Sequence, residues 1–341
     1  MRMRTLGRTG IKVSEFSLGC MTFGPSRLWP GVACVGQKAA SRLARMAIDS
    51  GINCFDTADM YSYGESERLL GRALRGKRAQ VLVCTKVFNA PDGAGPNETG
   101  LSRHHILSAA DLSLKRLGTD WIDIYYAHIW DHATPIEETL KAFDDLVRWG
   151  KVRYVGCSNF SGWQIAKSLG VSERLRLERF ACLQAKYNLA CREVENELLP
   201  VCREEGLGYI VWGPLAKGYF SGKYRPGQPR PAACRLSRAD EEFLRYEREQ
   251  GHAVVAALDK IAQARRATPS QIALAWLQAK TAVTSVILGV RSPEQLQENL
   301  SSAKIQLTAE ELAVLDDLSR PPSLYPYEMI ERNNRRRLQA A

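Results

Sequence analysis

Four polar side chains stand at the ends of short apolar runs or just beyond them. Asp56 follows the run from Ile52 to Phe55, and Tyr61 lies five residues further on. Lys86 closes the run from Val81, and His128 closes the run from Ile122. A carboxylate, a phenol, an ammonium and an imidazole held together could move a proton to or from a reacting oxygen. Each has a plainer explanation alone. Asp56 could only cap local backbone, Lys86 could snorkel, and His128 could be a satisfied core histidine. Together they could converge only if their segments end side by side.

The segments that carry them argue that they do. Gly51 bounds the run at Ile52, which is too short for a helix, so a buried strand is predicted. Ser66 opens a helix with Leu69, Leu70, Ala73 and Leu74 on one face and Gly76 as its stop. The same unit recurs. Strands are predicted at 16–21, 52–56, 81–86, 122–128, 152–158, 181–187, 209–213 and 284–290. Helices are predicted at 37–50, 66–74, 102–117, 135–149, 161–169, 194–205, 252–265 with 270–279, and 293–302. Eight strand–helix alternations with little polar–apolar alternation imply a parallel sheet buried on both faces. Eight is the number that closes a (β/α)8 TIM barrel, here one domain spanning 1–341. Its strand ends then meet at one mouth. A doubly wound sheet is the runner-up, weakened because no G-x-G-x-x-G follows the first strand.

The additions to that unit are an N-terminal β-hairpin (2–6 and 11–14) and a C-terminal helix at 308–318, where Thr308 and Glu311 form a capping box. Long loops at 24–36, 88–101 and 221–251 fall on the active face, and 239–249 reads as partly helical. After Arg320 the pair Pro321-Pro322 stops the helix and leaves a tail placed to fold back over the site.

The chain carries 47 basic and 37 acidic residues, a formal charge of +10 spread along its length. That favours an anionic small molecule over nucleic acid, for which no motif is present. Nine cysteines, none as C-x-x-C, lie mostly in apolar runs and read as reduced thiols of a cytoplasmic protein, with no metal site. No signal sequence and no membrane span are read.

In order and spacing the motifs resemble the aldo-keto reductase superfamily over nearly the whole chain, on the bacterial-type branch related to potassium-channel β-subunits. They are Phe55-Asp56-Thr57-Ala58 with Tyr61 and Gly64-Glu65-Ser66-Glu67, then Thr85-Lys86, then Asp123 to His128. Gly156 to Phe160, Gln184 to Asn188, Trp212 to Gly218, Gly222 to Tyr224 and Gly289 to Asn299 follow. Departures are Ser62 for a frequent Gly, Ile129 for a frequent Arg, Gly213 for a common Ser, and Cys20-Met21 for a frequent Thr-Trp.

The resemblance implies NADPH-dependent reduction of a small carbonyl compound. It makes Tyr61 the acid, with Tyr63 as rival, Lys86 its charged neighbour, Asp56 the holder of Lys86, and His128 the donor to the substrate oxygen. It implies Trp212 under the nicotinamide, Met21 beside it, and Ser158, Asn159 and Gln184 on the carboxamide. Lys223 and the backbone from Leu215 to Gly218 would meet the pyrophosphate, with Gly213, Pro214, Gly289 and Glu298 as further contacts. Arg291 stands before a helix start and could read a 2′-phosphate, with Gln295 and Asn299 on the same face for the adenine. Trp29, Phe88 and Trp130 are candidate substrate walls. Another class, an NADPH-binding redox-sensing interaction subunit with slow turnover, is the alternative. A lyase or isomerase using Lys86 as a Schiff base is disfavoured, because Asp56 would keep that amine protonated. Substrate, direction and oligomeric state are left open.

Overall fold

A computed structural model describes residues 1–25, 34–89, 94–224 and 246–339. Eight parallel strands close a barrel: β3 (Phe16–Gly19), β4 (Cys54–Asp56), β5 (Leu82–Val87), β6 (Ile122–Ala127), β7 (Val152–Ser158), β8 (Phe180–Lys186), β9 (Gly208–Trp212) and β10 (Val283–Gly289). Each strand pairs with its sequence neighbours, and β10 closes on β3 through Val286 to Phe16 and Gly289 to Gly19. The first turn of the barrel is preceded by a separate antiparallel hairpin of β1 (Met3–Thr5) and β2 (Lys12–Ser14). This is the (β/α)8 architecture and the N-terminal hairpin that the alternation predicts.

The helices between strands are α1 (Gln37–Asp49), α2 (Glu65–Ala73), α3 (Arg103–Leu117), α4 (Ile136–Arg148), α5 (Gly162–Leu175) and α6 (Leu198–Glu205). Then come α7 (Glu249–Arg265), α8 (Pro269–Ala279), α9 (Pro293–Ser301), α10 (Ala309–Leu318) and α11 (Tyr327–Gln339). Several bounds differ from the expected ones, two of them for local reasons. α5 runs on past Gly170 because Val171 and Ser172 are buried beyond it, and a helix tolerates one glycine when its far turn packs. The chain from 193 to 195 is a separate 3₁₀ turn, so α6 starts four residues later than expected.

Inside the barrel, alternate residues stack in layers. Cys54, Cys84, Cys182, Ile124, Tyr126 and Ile210 form one cluster inside the barrel, and Leu6 and Val13 of the hairpin join it. The hairpin is clamped beneath the barrel, where the Arg8 N–H donates to Gly206 O at 2.9 Å. The residue two further along each of β4, β5 and β8 is Asp56, Lys86 and Gln184. The period of two therefore lifts polar groups into the next layer, towards the mouth. The 239–245 part of the helical expectation and the loop tips at 26–33 and 90–93 lie outside the described residues.

After Arg320 the tail forms α11. Its Tyr327 hydroxyl donates to Glu197 Oε1 at 2.5 Å, beside the start of α6. No described tail residue lines the cavity at the mouth.

Candidate active site

Asp56 ends β4, Lys86 lies near the end of β5, and the two strands are neighbours in register. Lys86 is fully buried. Its Nζ donates to Asp56 Oδ1 at 2.6 Å and to the Thr57 carbonyl at 2.7 Å. The second Asp56 oxygen accepts from Gln184 Nε2 at 2.7 Å. Burial disfavours the Lys86 charge, but Asp56 and the neighbouring Tyr61 more than offset it and hold its pKa above the ordinary lysine value. The ammonium lies 5.0 Å from the centroid of the Tyr61 ring.

Tyr61 sits on a 3₁₀ turn, Tyr61–Gly64, rather than in a plain loop. Three successive residues of that turn, Ser62, Tyr63 and Gly64, have φ of 50°, 55° and 81°. Left-handed backbone costs a non-glycine residue roughly 1–2 kcal/mol, so tertiary contacts must hold the turn. Ser62 Oγ donates to the Phe23 carbonyl at 2.9 Å. A Cβ at Gly64 would lie 2.6 Å from Arg116 Cδ, so a side chain there would have to displace that arginine.

His128 follows β6, its ring 6.1 Å from that of Tyr61 and edge-on to it. Burial, and then the Lys86 charge, pull its pKa down to about 3. The imidazole is therefore neutral at physiological pH. Its Nδ1 is buried without a hydrogen-bond partner. A bare acceptor there costs less than a bare N–H, which favours the tautomer with the proton on Nε2, the nitrogen left to meet a ligand. A titration consequence follows. The unfolded imidazole takes up a proton below about pH 6.5 and the folded one does not, so stability falls with acid between about 6.5 and 3 by up to about 1.4 kcal/mol per pH unit. Between pH 7 and 5 the urea midpoint of His128→Gln should fall less than that of the parent chain. Equal falls would mean that His128 is protonated in the fold.

The mouth holds a cavity of about 730 Å³, within the usual range of ligand sites. Asp56, Tyr61 and His128 line one part of it, and Lys86 lies behind them. Ser158, Asn159, Gln184, Trp212 and Met21 also line it. So do Gly213, Pro214, Leu215, Gly218 and Lys223 on one wall, and Gly289, Arg291, Gln295, Glu298 and Asn299 on another. Several are tied to one another. Trp212 Nε1 donates to Asn159 Oδ1 at 3.1 Å, and Asn159 Nδ2 donates to the His128 carbonyl at 3.0 Å. Those bonds fix the indole relative to the imidazole strand. Two expected walls are elsewhere. Phe88 packs against the core, and Trp130 turns edge-on to Phe160 and Trp163, at 5.2 and 5.5 Å, so neither lines the cavity. Trp29 lies outside the described residues.

Lining residues not picked out from the sequence include Met60, Asn89, Ile129 and Lys186. Lys186 had a signal: it lies two residues past Gln184 on β8, on the same face and one layer nearer the mouth. Its Nζ is 5.7 Å from the Trp212 ring centroid and 5.4 Å from that of Tyr246. Among the described residues no cluster of His, Cys, Asp and Glu could hold a metal ion, and no helix is long and apolar enough to cross a membrane.

A closed parallel barrel that gathers an ammonium–carboxylate pair, a phenol and a neutral imidazole at its mouth has the architecture of a barrel enzyme equipped for proton transfer. The chain belongs to the Aldo/keto reductase family, whose profile matches residues 16–320, and it is by that membership an oxidoreductase. Versiconal hemiacetal acetate reductase of Aspergillus parasiticus is 32% identical, with 96% of this chain and 100% of that protein covered. Aldo-keto reductase AMT2 of Alternaria alternata is 35% identical, with 94% and 92% covered. A putative voltage-gated potassium channel subunit beta of Schizosaccharomyces pombe is 36% identical, with 92% of each covered.

Proposed function

We propose that the chain reduces aldehydes or ketones to alcohols with NADPH, and that Tyr61 delivers the proton. One observation carries this reading: Lys86 Nζ, fixed by Asp56 and the Thr57 carbonyl, lies against the Tyr61 ring at the floor of the cavity. An ammonium beside a phenol stabilises the phenolate left when the proton departs. Asp56 keeps that ammonium charged, and Gln184 keeps Asp56 turned towards it. Neutral His128 donates from Nε2 to the same substrate oxygen and adds to its polarisation.

The cavity fits a dinucleotide in size and in the chemistry of its walls. It runs from the proton-transfer group, past the Trp212 indole, to the start of α9. When bound, NADPH supplies the hydride. Trp212, Ser158, Asn159 and Gln184 would hold its nicotinamide end, Lys217 and Lys223 its phosphates, and Arg291, Gln295 and Asn299 its adenosine end. Assaying NADPH oxidation against a panel of aldehydes and ketones tests the reading; no turnover with any of them would refute it. The relatives named as channel subunits favour a second reading, an NADPH-binding interaction subunit. That one expects tight cofactor binding with negligible turnover in the same assay.

Preference for NADPH over NADH is assigned to Arg291. Its backbone N–H is already committed to Gln295 Oε1 at 2.9 Å, and Ser292 Oγ caps α9 by accepting from the Gln295 N–H. The guanidinium lines the same cavity, and such a group can bind phosphate oxygens through two hydrogen bonds. Arg291→Ala should raise the NADPH Kd about tenfold or more, the scale of one charge-assisted contact, and leave NADH almost unchanged. Tryptophan fluorescence titrations measure both, and equal losses would assign Arg291 to loop support.

A further inference from the structure

Behind the Tyr61 turn lies a second buried ion pair that the proton-transfer group does not use. Glu67, in the first turn of α2, is fully buried. Its Oε1 accepts from Thr85 Oγ1 at 2.6 Å, and its Oε2 meets Arg116 Nε at 2.5 Å. The three partners come from three elements. Glu67 stands three residues past the end of the Tyr61 turn, Thr85 is the strand neighbour of Lys86, and Arg116 reaches across from α3. Asp59 joins the cluster. Its Oδ1 accepts from the Met60 N–H at 2.6 Å, and its own N–H donates to the Lys86 carbonyl at 3.3 Å. Burial, and then the nearness of Glu67, raise the Asp59 pKa well above the carboxylate range.

We propose that Glu67 and Arg116 are positioning residues, which hold the left-handed turn so that the Tyr61 phenol stays against Lys86. Arg116 passes over Gly64 where any side chain would stand, and Glu67 anchors Arg116 there. The anchor also grips Thr85, so the turn bearing Tyr61 and the strand bearing Lys86 are fixed by one carboxylate. Without it the backbone of Ser62 and Tyr63 has reason to leave the left-handed region, and the phenol moves with it. The proposal rests on Tyr61 being the proton donor.

The test uses the full chain with NADPH and 4-nitrobenzaldehyde as the probe carbonyl. Glu67→Ala should lose about tenfold to a hundredfold in kcat, the scale of a small misplacement of a reacting group. Its pH profile of kcat should move, because the phenol has left its ammonium, while NADPH binding by fluorescence stays close to that of the parent. Glu67→Gln should recover most of the loss, since its amide can still accept from Arg116 and donate to Thr85. A Glu67→Ala enzyme with kcat within about threefold of the parent and the same pH profile overturns the proposal. So does a Glu67→Gln enzyme as impaired as Glu67→Ala. If Glu67→Ala does not fold, Arg116→Lys decides. It keeps the charge but not the reach over Gly64, and unchanged kcat and pH profile in it would equally overturn the proposal. Tyr61→Phe, run in parallel, separates the two readings. Full turnover there refutes the proton donor itself, whereas a dead Tyr61→Phe with intact Glu67 variants refutes only the positioning role.

Discussion

Tyr61→Phe is expected to lower carbonyl reduction by about 10²–10⁴-fold, the usual contribution of a positioned general acid. The ring remains and only the oxygen goes, so the contact with the Lys86 ammonium and the edge-on packing with His128 persist. NADPH should therefore bind as before, and the loss should fall on kcat. Tyr63→Phe is the control. Tyr63 shares the turn and, like Ser62, has left-handed backbone, but it is not among the residues lining the cavity. Near-normal turnover in Tyr61→Phe together with a dead Tyr63→Phe would reassign the acid to Tyr63.

Lys86→Met should abolish turnover and weaken the fold at the same time. Removing one member of a buried pair costs about 3–5 kcal/mol, because the other charge is left in a low-dielectric site. Here that charge is Asp56, whose second carboxylate oxygen accepts from the Gln184 amide. Adding Asp56→Asn to Lys86→Met should restore most of the stability and none of the activity. That pairing separates the folding role of the ammonium from its chemical role. The folded pKa of Lys86 is raised, so its stabilising effect is fully present below the unfolded value of about 10.4 and is lost only as pH rises through the folded one. Between pH 6 and 9 Lys86 should therefore add no slope to stability. A Lys86→Met chain that stays active with an unchanged pH profile would refute the mechanism.

The barrel and the group of Asp56, Lys86 and His128 are legible in the sequence for a physical reason. Each lies at or next to the end of an apolar run, and a closed parallel barrel puts such ends side by side. Ser158, Gln184, Trp212 and Arg291, which the resemblance singles out, do line the cavity. What escapes is whatever depends on direction or on distant partners. Nothing in Ser62-Tyr63-Gly64 announces three left-handed residues, since only glycine favours that region by itself. Glu67 and Arg116 are 49 positions apart and read singly as a helix-start acid and a helix-end base. Trp130 was a candidate wall, but a loop side chain's direction is not written in the sequence, and its ring packs on Phe160 instead. The tail shows the same limit. Pro321-Pro322 correctly stops α10, yet the pattern did not reveal a further helix or its tie to Glu197.

The hairpin beneath the barrel makes the interior a dead end. Leu6 and Val13 close it below, and the layer above them consists of thiols, a phenol and aliphatic groups. The thiols of Cys84 and Cys182 and the phenol of Tyr126 resist ionisation. Groups that resist ionisation are poor sources of protons for the mouth above them. On the reading that Tyr61 is the acid, its proton is then replaced from the same opening that admits the reactants, so the traffic of protons and of molecules shares one doorway. A bulky group that narrows that rim would then slow entry, exit and recharging together.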